Sequence, residues 1–401
     1  MSDQPPQPSN AKRILRGLVA LLAAAAVWLP CVHFLYQKPA AEFHAEKGLS
    51  PRARELAARH LQLWTEPELR KKELQRMRAS NAEWDFMGRS FLVWSLANIC
   101  LREPAMKAQC LPVIDQIIEE TIKLEKSDGI YVFLMPYAKA SQFKAQPPRS
   151  LFIDGEIALM LAARRVVEEK TDYKPLLDER IKFMIERMES SPVLGAESYP
   201  DECWTYDHAV ALAALKVADH LDGTDHTPLI QRWLTVAKEK LVHKESGLLI
   251  SSYTKEGRIM DGPEGSTIWL VAHCLAVIDP EFARGQYQRA RKELGRTLLG
   301  FGFAREWPKS AKGTADIDSG PIIPVLEISA GSSGMAFIGA ATFGDWDYVS
   351  SLAASLDMGG FPIRENGRLR YCASNQVGDA AMLYATVLGP LWESVKKKGK
   401  P

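Results

Sequence analysis

PDECWTYDHAVAL, residues 200–212, sets three carboxylates, an imidazole and two aromatic rings directly ahead of an apolar run. A helix starting near Trp204 would bury that run and leave its free N–H groups facing a polar loop, where acids are favoured. The same order of polar loop and apolar helix recurs along the chain. It appears in EWDFMGRS (83–90), FIDGEIAL (152–159), MDGPEGSTIWL (260–270), ADIDSGPII (315–323) and SNQVGDAAML (374–383). Taken at Asp85, Asp154, Asp207, Glu264, Asp318 and Asn375, the intervals are 69, 53, 57, 54 and 57 residues. Each interval has room for a helix, a return helix and two loops, which is the period of an α-hairpin repeat. Six such hairpins close into an all-α (α/α)6 barrel, or toroid, of about twelve helices, with six polar helix starts gathered at one mouth. An open α-solenoid fits the same period.

Apolar periodicity places the helices at 51–62, 84–101, 106–126, 154–170, 175–189, 204–221, 226–242, 265–278, 281–297, 320–343, 345–356 and 376–396. GLLISSYT (247–254) and GRLRYCA (367–373) read as short extended pieces on the helical scaffold. GFGFAR (300–305) is a Gly-rich run without a strand pattern ahead of it, so it makes a poor phosphate loop.

Ahead of the repeats, Gly17 to Tyr36 reads GLVALLAAAAVWLPCVHFLY, with no acidic or basic side chain except His33. At ~1.5 Å per residue such a run crosses a bilayer's hydrocarbon core. Lys12, Arg13 and Arg16 precede it, which puts the amino terminus in the cytoplasm and the rest on the extracytoplasmic side. A cleaved signal peptide, leaving a secreted or periplasmic protein, and a buried helix are the competing readings. The expected layout is a cytoplasmic tail over 1–16, a transmembrane anchor or signal core over 17–36, a linker over 37–50, the barrel over 51–396 and a basic tail over 397–401.

The 401 residues carry 50 Lys and Arg against 49 Asp and Glu, so the bulk positive charge that nucleic-acid binding draws on is missing. None of the six cysteines stands at zinc-site spacing, and no metal or organic cofactor is expected. G-x-S-x-G, phosphate-loop and H-E-x-x-H patterns are absent.

Acid/base chemistry is what the six loops are equipped for. Asp207, Glu156 and Asp201 are the candidate catalytic carboxyls. Tyr199, Trp204, Tyr206, His208, Asp154, Asp316, Asp318 and Trp84 are candidates for binding substrate. Glu156 opens an apolar run, and desolvation there would raise its pKa into the range of a general acid near neutral pH. Helix capping explains Asp154 and Asp201 as readily, and a turn with a cap explains Asp316 and Asp318. One cap, however, does not require three acids and a histidine.

These loops resemble the linalool dehydratase/isomerase family. The likeness runs through YPDECWTYDHAVALAALKVADHLDGTDHTPLIQRWL (199–233), GLLISSYTKEGRI (247–259), STIWLVAHCLAVIDPEFARGQY (266–287) and GTADIDSG (313–320). A shorter match lies at FIDGEIALMLAARRVVEEKTDYKPLLDERI (152–181). The resemblance implies an (α/α)6 barrel, assembly of like subunits with the site near their interface, and cofactor-free chemistry on a terpene alcohol. The chain departs from the family at its chemistry. Ser198 and Asp207 stand where the family has two cysteines, Cys203 lies between them, and Glu156 stands where the family has a histidine. The leading expectation is therefore a lyase or isomerase on a hydrophobic alcohol, with carboxylates in place of thiols. The alternatives are a carboxylate-dependent hydrolase of a cell-envelope saccharide and a non-catalytic barrel that binds a glycan or partner. A deep apolar pocket around the acids would favour the first, an open aromatic groove the second.

Overall fold

The computed structural model describes residues 10–311, 313 and 319–397. Its helices are α1 (Asn10–Trp28), α2 (Pro51–Thr65), α3 (Pro67–Ser80), α4 (Ala82–Arg102), α5 (Lys107–Asp128), α6 (Leu151–Val167), α7 (Tyr173–Glu189) and α8 (Thr205–Asp222). They continue with α9 (Thr227–Lys240), α10 (Gly265–Leu275), α11 (Pro280–Glu293), α12 (Ala330–Phe343), α13 (Trp346–Gly359), α14 (Gln376–Val387) and α15 (Pro390–Lys397).

Six of them, α4, α6, α8, α10, α12 and α14, pack each on the next, and α14 returns to α4, which closes the ring. The protein is thus an all-α (α/α)6 barrel preceded by one apolar helix. The inner helices touch two neighbours and an outer helix, so they are apolar on nearly every side. In α6, every residue except Val166 is buried. Close approach of α6 and α8 depends on Gly155, where an added Cβ would meet the Ala211 Cβ at 3.3 Å. The outer layer holds α5, α7, α9, α11 and α13. Its sixth place, beside α14, is taken by α2 from the other end of the chain. Arg52 of α2 is fully buried and forms a two-pronged pair with Asp357 at 2.8 Å on both arms, locking that closure.

Several boundaries differ from expectation for local reasons. The 320–343 helix begins only at Ala330. Strands β6 (Ile322–Ile323) and β7 (Ile328–Ser329) precede it as a hairpin, and Ser329 caps the helix by accepting from Ser332 N–H at 3.0 Å. The 281–297 helix stops at Glu293, and Gly-rich sequence turns into the hairpin of β4 (Gly295–Leu298) and β5 (Phe301–Ala304), with Gly300 at φ +83°. GFGFAR is therefore a strand with a strand before it. The 376–396 helix is cut at Gly389–Pro390, where φ is +121° and the proline nitrogen has no hydrogen to donate. Helix α3 was not expected, because PELRKKELQRMRAS has almost no apolar period. The 367–373 piece does form a hairpin, β8 (Pro362–Glu365) with β9 (Arg368–Tyr371). Around 247–254 there is a small sheet of β1 (Cys203–Trp204), β2 (Ser252–Tyr253) and β3 (Ile259–Asp261).

At the amino terminus, α1 runs on through 3-10 turns as one helical stretch, Asn10–Glu42, long enough to cross a bilayer, with a mean hydropathy of 2.2 over its most apolar window, none of which is buried. It gives way at Pro30 to a 3-10 turn, Leu29–Leu35. Within 37–50, Phe43 and Leu49 are buried against the barrel.

Candidate active site

All six inner helices present their first turns to one cavity of about 1140 Å³. Glu83 and Trp84 open α4, Phe152 opens α6, and Tyr206 and Asp207 open α8. Ser266 and Thr267 open α10, Ala330 and Gly331 open α12, and Val377 and Gly378 open α14. The β4–β5 and β6–β7 hairpins rise around it, contributing Leu298, Leu299, Phe301, Ile323 and Leu326. Met87, Phe91, Phe152, Met335, Phe337 and Met382 make the deeper wall apolar.

Within this wall three carboxyl side chains come together. Asp207 is almost wholly buried yet lines the cavity. Burial pushes its carboxyl up to about 8; the charge of Glu83 adds to this, and the Ser198 hydroxyl draws it part-way back. Glu156 lies behind Tyr206, whose hydroxyl donates to Glu156 Oε1 at 3.2 Å. Burial raises Glu156 to about 8 as well; Asp207 reinforces the shift, and the Ser90 and Tyr206 hydroxyls draw it part-way back. Both groups are therefore largely protonated at neutral pH. Glu83 accepts a short hydrogen bond from the Tyr199 hydroxyl, which also accepts from Met135 N–H at 2.9 Å. Tyr137 stacks on Tyr199 at 4.8 Å and donates to Glu202 at 3.3 Å, as does the Trp204 indole N–H at 3.3 Å.

Neither α6 nor α8 uses its acids as caps: their N-caps, Ser150 and Trp204, make no side-chain capping bond. The first-turn acids have other partners. Asp154 turns outward, where Arg180 of α7 donates at 2.7 Å and Arg149 donates at 2.9 Å, so it takes no part in the cavity. Asp201 sits outside the cavity in a tight turn at φ +61° and pairs with Lys144 at 2.8 Å. His208 is buried and neutral: burial holds it down to about 4, Nδ1–H donates to the Trp204 carbonyl at 2.7 Å, and Nε2 accepts from Ala196 N–H at 3.0 Å. That ring is part of the framework. Trp84, Tyr199, Trp204, Tyr206 and Asp207 do line the cavity, while Glu156 reaches it through Tyr206. Asp316 and Asp318 lie outside the described residues. Cys203 is buried beside Gly195 and Tyr253, away from the cavity.

Sequence reasoning missed Glu83, although it stands two residues from Asp85, the marker of the first repeat; the latter pairs with Arg78 at 3.0 Å and Arg89 at 3.2 Å. It also missed Asp379, on the far wall in the first turn of α14, which burial raises to about 7. Glu306 was missed too. It accepts from Ser266 N–H at 3.0 Å and from the Ser329 hydroxyl at 2.5 Å, tying the starts of α10 and α12 together. Among the described residues no three His, Cys, Asp or Glu side chains are grouped as a metal site requires.

A family model described as linalool dehydratase/isomerase matches residues 158–377, more than half of the chain. The matched segment contains Asp207, whereas Glu83 and Glu156 precede it. No curated protein matches. Among solved structures, a family 105 glycoside hydrolase of C. acetobutylicum is similar at a TM-score of 0.50 and 11% identity, covering 84% of this chain and 99% of that one. The GH76 alpha-mannanase of Bacteroides thetaiotaomicron is similar at a TM-score of 0.49 and 10% identity, covering 78% and 87%. At such identities the likeness concerns the fold alone.

Proposed function

Because the chain belongs to the linalool dehydratase/isomerase family, we propose that it is a cofactor-independent lyase or isomerase acting on a hydrophobic, terpenoid-like alcohol. The observation that carries this reading is Asp207, a carboxyl kept protonated by burial on the wall of an apolar cavity. An acid of pKa about 8 donates efficiently near neutral pH. As the C–O bond of the alcohol breaks, Asp207 gives its proton to the leaving hydroxyl, which departs as water. Glu83 then removes a proton from the neighbouring carbon, whose C–H electrons form the alkene. In the isomerisation Glu83 takes no proton: water returns to the other end of an allylic cation and gives its extra proton back to Asp207, which yields the isomeric alcohol and restores the acid. The faces of Trp84 and Tyr206 suit the transient positive charge. Tyr206 and Glu156 act as a positioning pair, and Tyr199 orients Glu83. Residues 17–36 serve as an uncleaved anchor, with Lys12, Arg13 and Arg16 on the cytoplasmic side and the barrel outside.

A second reading, hydrolysis of a glycosidic bond, draws on Trp84 and Trp204 at the cavity wall, since indole faces stack on sugars as well as on isoprenoids. The Met and Phe side chains around the acids favour the alcohol. The test is turnover of a panel of terpenoid alcohols and of oligosaccharides by the full chain and its Asp207→Asn variant, with products separated by chromatography. Conversion of an alcohol that is lost in Asp207→Asn supports the lyase. Cleavage of an oligosaccharide alone, or conversion indifferent to Asp207, overturns it.

A further inference from the structure

Trp28, where α1 ends, lies only five residues before His33, and His33 rests on the cavity's own rim. Its ring covers Gly300 at the β4–β5 turn so closely that an added Cβ would fall 2.2 Å from the ring carbon. Phe301 of the same hairpin meets the rings of His33 and Tyr36 at 6.3 and 6.2 Å. Behind this contact the Ser350 hydroxyl of α13 donates to the Lys38 carbonyl at 3.1 Å, so the chain leaving the apolar helix is held against the mouth. At ~2.0 Å per residue in a 3-10 turn, His33 stands roughly 10 Å from the helix end, and Gly300 lies against its ring.

The rim is also apolar where it meets solvent. Val325, in the β6–β7 turn, is 96% exposed; Phe361, just ahead of β8, is 65% exposed; Leu299, in the β4–β5 turn, is 44% exposed. All three adopt the left-handed backbone region, at φ +72°, +51° and +49°. That conformation is strained for a residue with a side chain, and at all three the side chain is exposed. A run of exposed apolar tips around a pocket marks a surface that another apolar phase covers.

We infer that the mouth of the barrel seats on the lipid bilayer crossed by residues 17–36, with the tips at Leu299, Val325 and Phe361 inserted in its interfacial layer. The alcohol enters laterally from the lipid phase. This rests on the hydrophobic-alcohol reading above and narrows it. The cavity of about 1140 Å³ has room for an alcohol longer than a monoterpenoid, and with entry from lipid the substrate class is a long-chain isoprenoid alcohol dissolved in the membrane. Closure of the mouth by lipid also keeps bulk water from Asp207 and Glu83 while the cation exists.

The test uses the full chain with its two exposed cysteines removed, Cys31→Ser and Cys372→Ser. A single cysteine is placed at Leu299, Val325 or Phe361, or as control at Asp225 in the exposed loop between α8 and α9. Each is labelled with an environment-sensitive fluorophore and reconstituted in phosphatidylethanolamine–phosphatidylglycerol vesicles, with and without doxyl-labelled acyl chains. Quenching is expected at the three rim positions, at a depth of ~5–10 Å below the headgroup boundary, and not at position 225. Rim probes that emit as the control does overturn the docking. Adding substrate-free vesicles at a fixed total amount of farnesol or geranylgeraniol should lower the rate of the unlabelled enzyme, because the alcohol is diluted in lipid. A rate indifferent to added lipid overturns lateral entry. Docking and chemistry separate cleanly: quenching that persists in Asp207→Asn, or without turnover of any alcohol, upholds the docking whatever becomes of the lyase reading. Turnover with unquenched rim probes removes the docking and leaves the lyase.

Discussion

The Tyr206 hydroxyl donates to one oxygen of Glu156 at 3.2 Å, while the other oxygen, Oε2, is buried and unpaired among the described residues, because the nearby Ser90 hydroxyl donates instead to the Phe86 carbonyl at 3.3 Å. An ionised carboxylate would not tolerate an unsatisfied oxygen in that place, whereas a neutral acid does so at much lower cost. In the proposed reaction the pair divides the work at the cavity: Asp207 would face the substrate, and Glu156 would hold the phenol that faces it.

Asp207→Asn should lower turnover by ~10²–10⁴-fold, the usual contribution of a positioned general acid. Glu156→Gln keeps an acceptor for Tyr206 and should cost much less in kcat, with the larger effect on KM. Steady-state kinetics on the best alcohol of the panel checks both. Equal losses in the two variants would remove the division of labour.

In the parent enzyme, activity should fall as pH rises through about 8, where Asp207 loses its proton. A pH profile of kcat/KM reads this directly. An activity that climbs steadily beyond pH 9 would show that Asp207 is not the acid.

Stability should decline between pH 6.5 and 8. Asp207 and Glu156 have folded pKa values near 8 against ~4 in the unfolded chain. The folded state therefore binds more protons across that interval, and ΔG of unfolding falls as pH rises until both groups are ionised. The buried histidines His60, His208 and His273, held down to about 4, 4 and 3, act in the opposite sense, losing stability as pH falls below 6.5. Denaturation melts at several pH values should show a flatter slope between 6.5 and 8 in the Asp207→Asn/Glu156→Gln double variant.

Arg180→Met should destabilise the fold by about 3–5 kcal/mol, the usual consequence of leaving buried carboxylates without their counter-charge. Arg180 bridges Glu125 of α5 and Asp154 of α6. Urea titration followed by circular dichroism measures the loss. An unchanged midpoint would mean that the cluster is neutralised by protonation instead.

Gly265→Ala tests the α10–α12 junction at the cavity. A Cβ there would lie 2.0 Å from Ser332 Oγ and 2.5 Å from the Arg305 carbonyl oxygen. The backbone oxygen cannot swing aside as a side chain would, so a loss of about 1–3 kcal/mol is expected, measurable by the same titration.

The hexameric repeat of polar helix starts was legible in the sequence because periodic apolar helices and their polar entries survive as pattern. Which acid of each loop enters the cavity was not. Residues two apart on a helix point ~200° apart, so choosing Asp85 over Glu83, or Asp154 with Glu156, selects opposite faces. The outward member of each pair finds an arginine, Arg78 and Arg89 for Asp85, Arg149 and Arg180 for Asp154. Of the inward members, Glu83 meets the Tyr199 hydroxyl at the cavity, and Glu156 is buried behind Tyr206, where its pKa rises. Asp207 was identified because its aromatic neighbours travel with it. Asp201 shares that decapeptide, but a left-handed turn at its own position carries it out to Lys144.

Placing α2 as the sixth outer helix has a consequence for biosynthesis. The seam is held by Arg52 with Asp357, 305 residues apart, and by Asn98 with Leu391 N–H, 293 residues apart. A nascent chain has no partner for the flank of α2 and α4 until nearly the last helix has been made. The incomplete ring therefore carries an open apolar edge for most of its synthesis, and folding must wait for its slowest, most distant pairing. A chain ending before α14 should be held by chaperones or aggregate, even though five of its six helical hairpins are already complete.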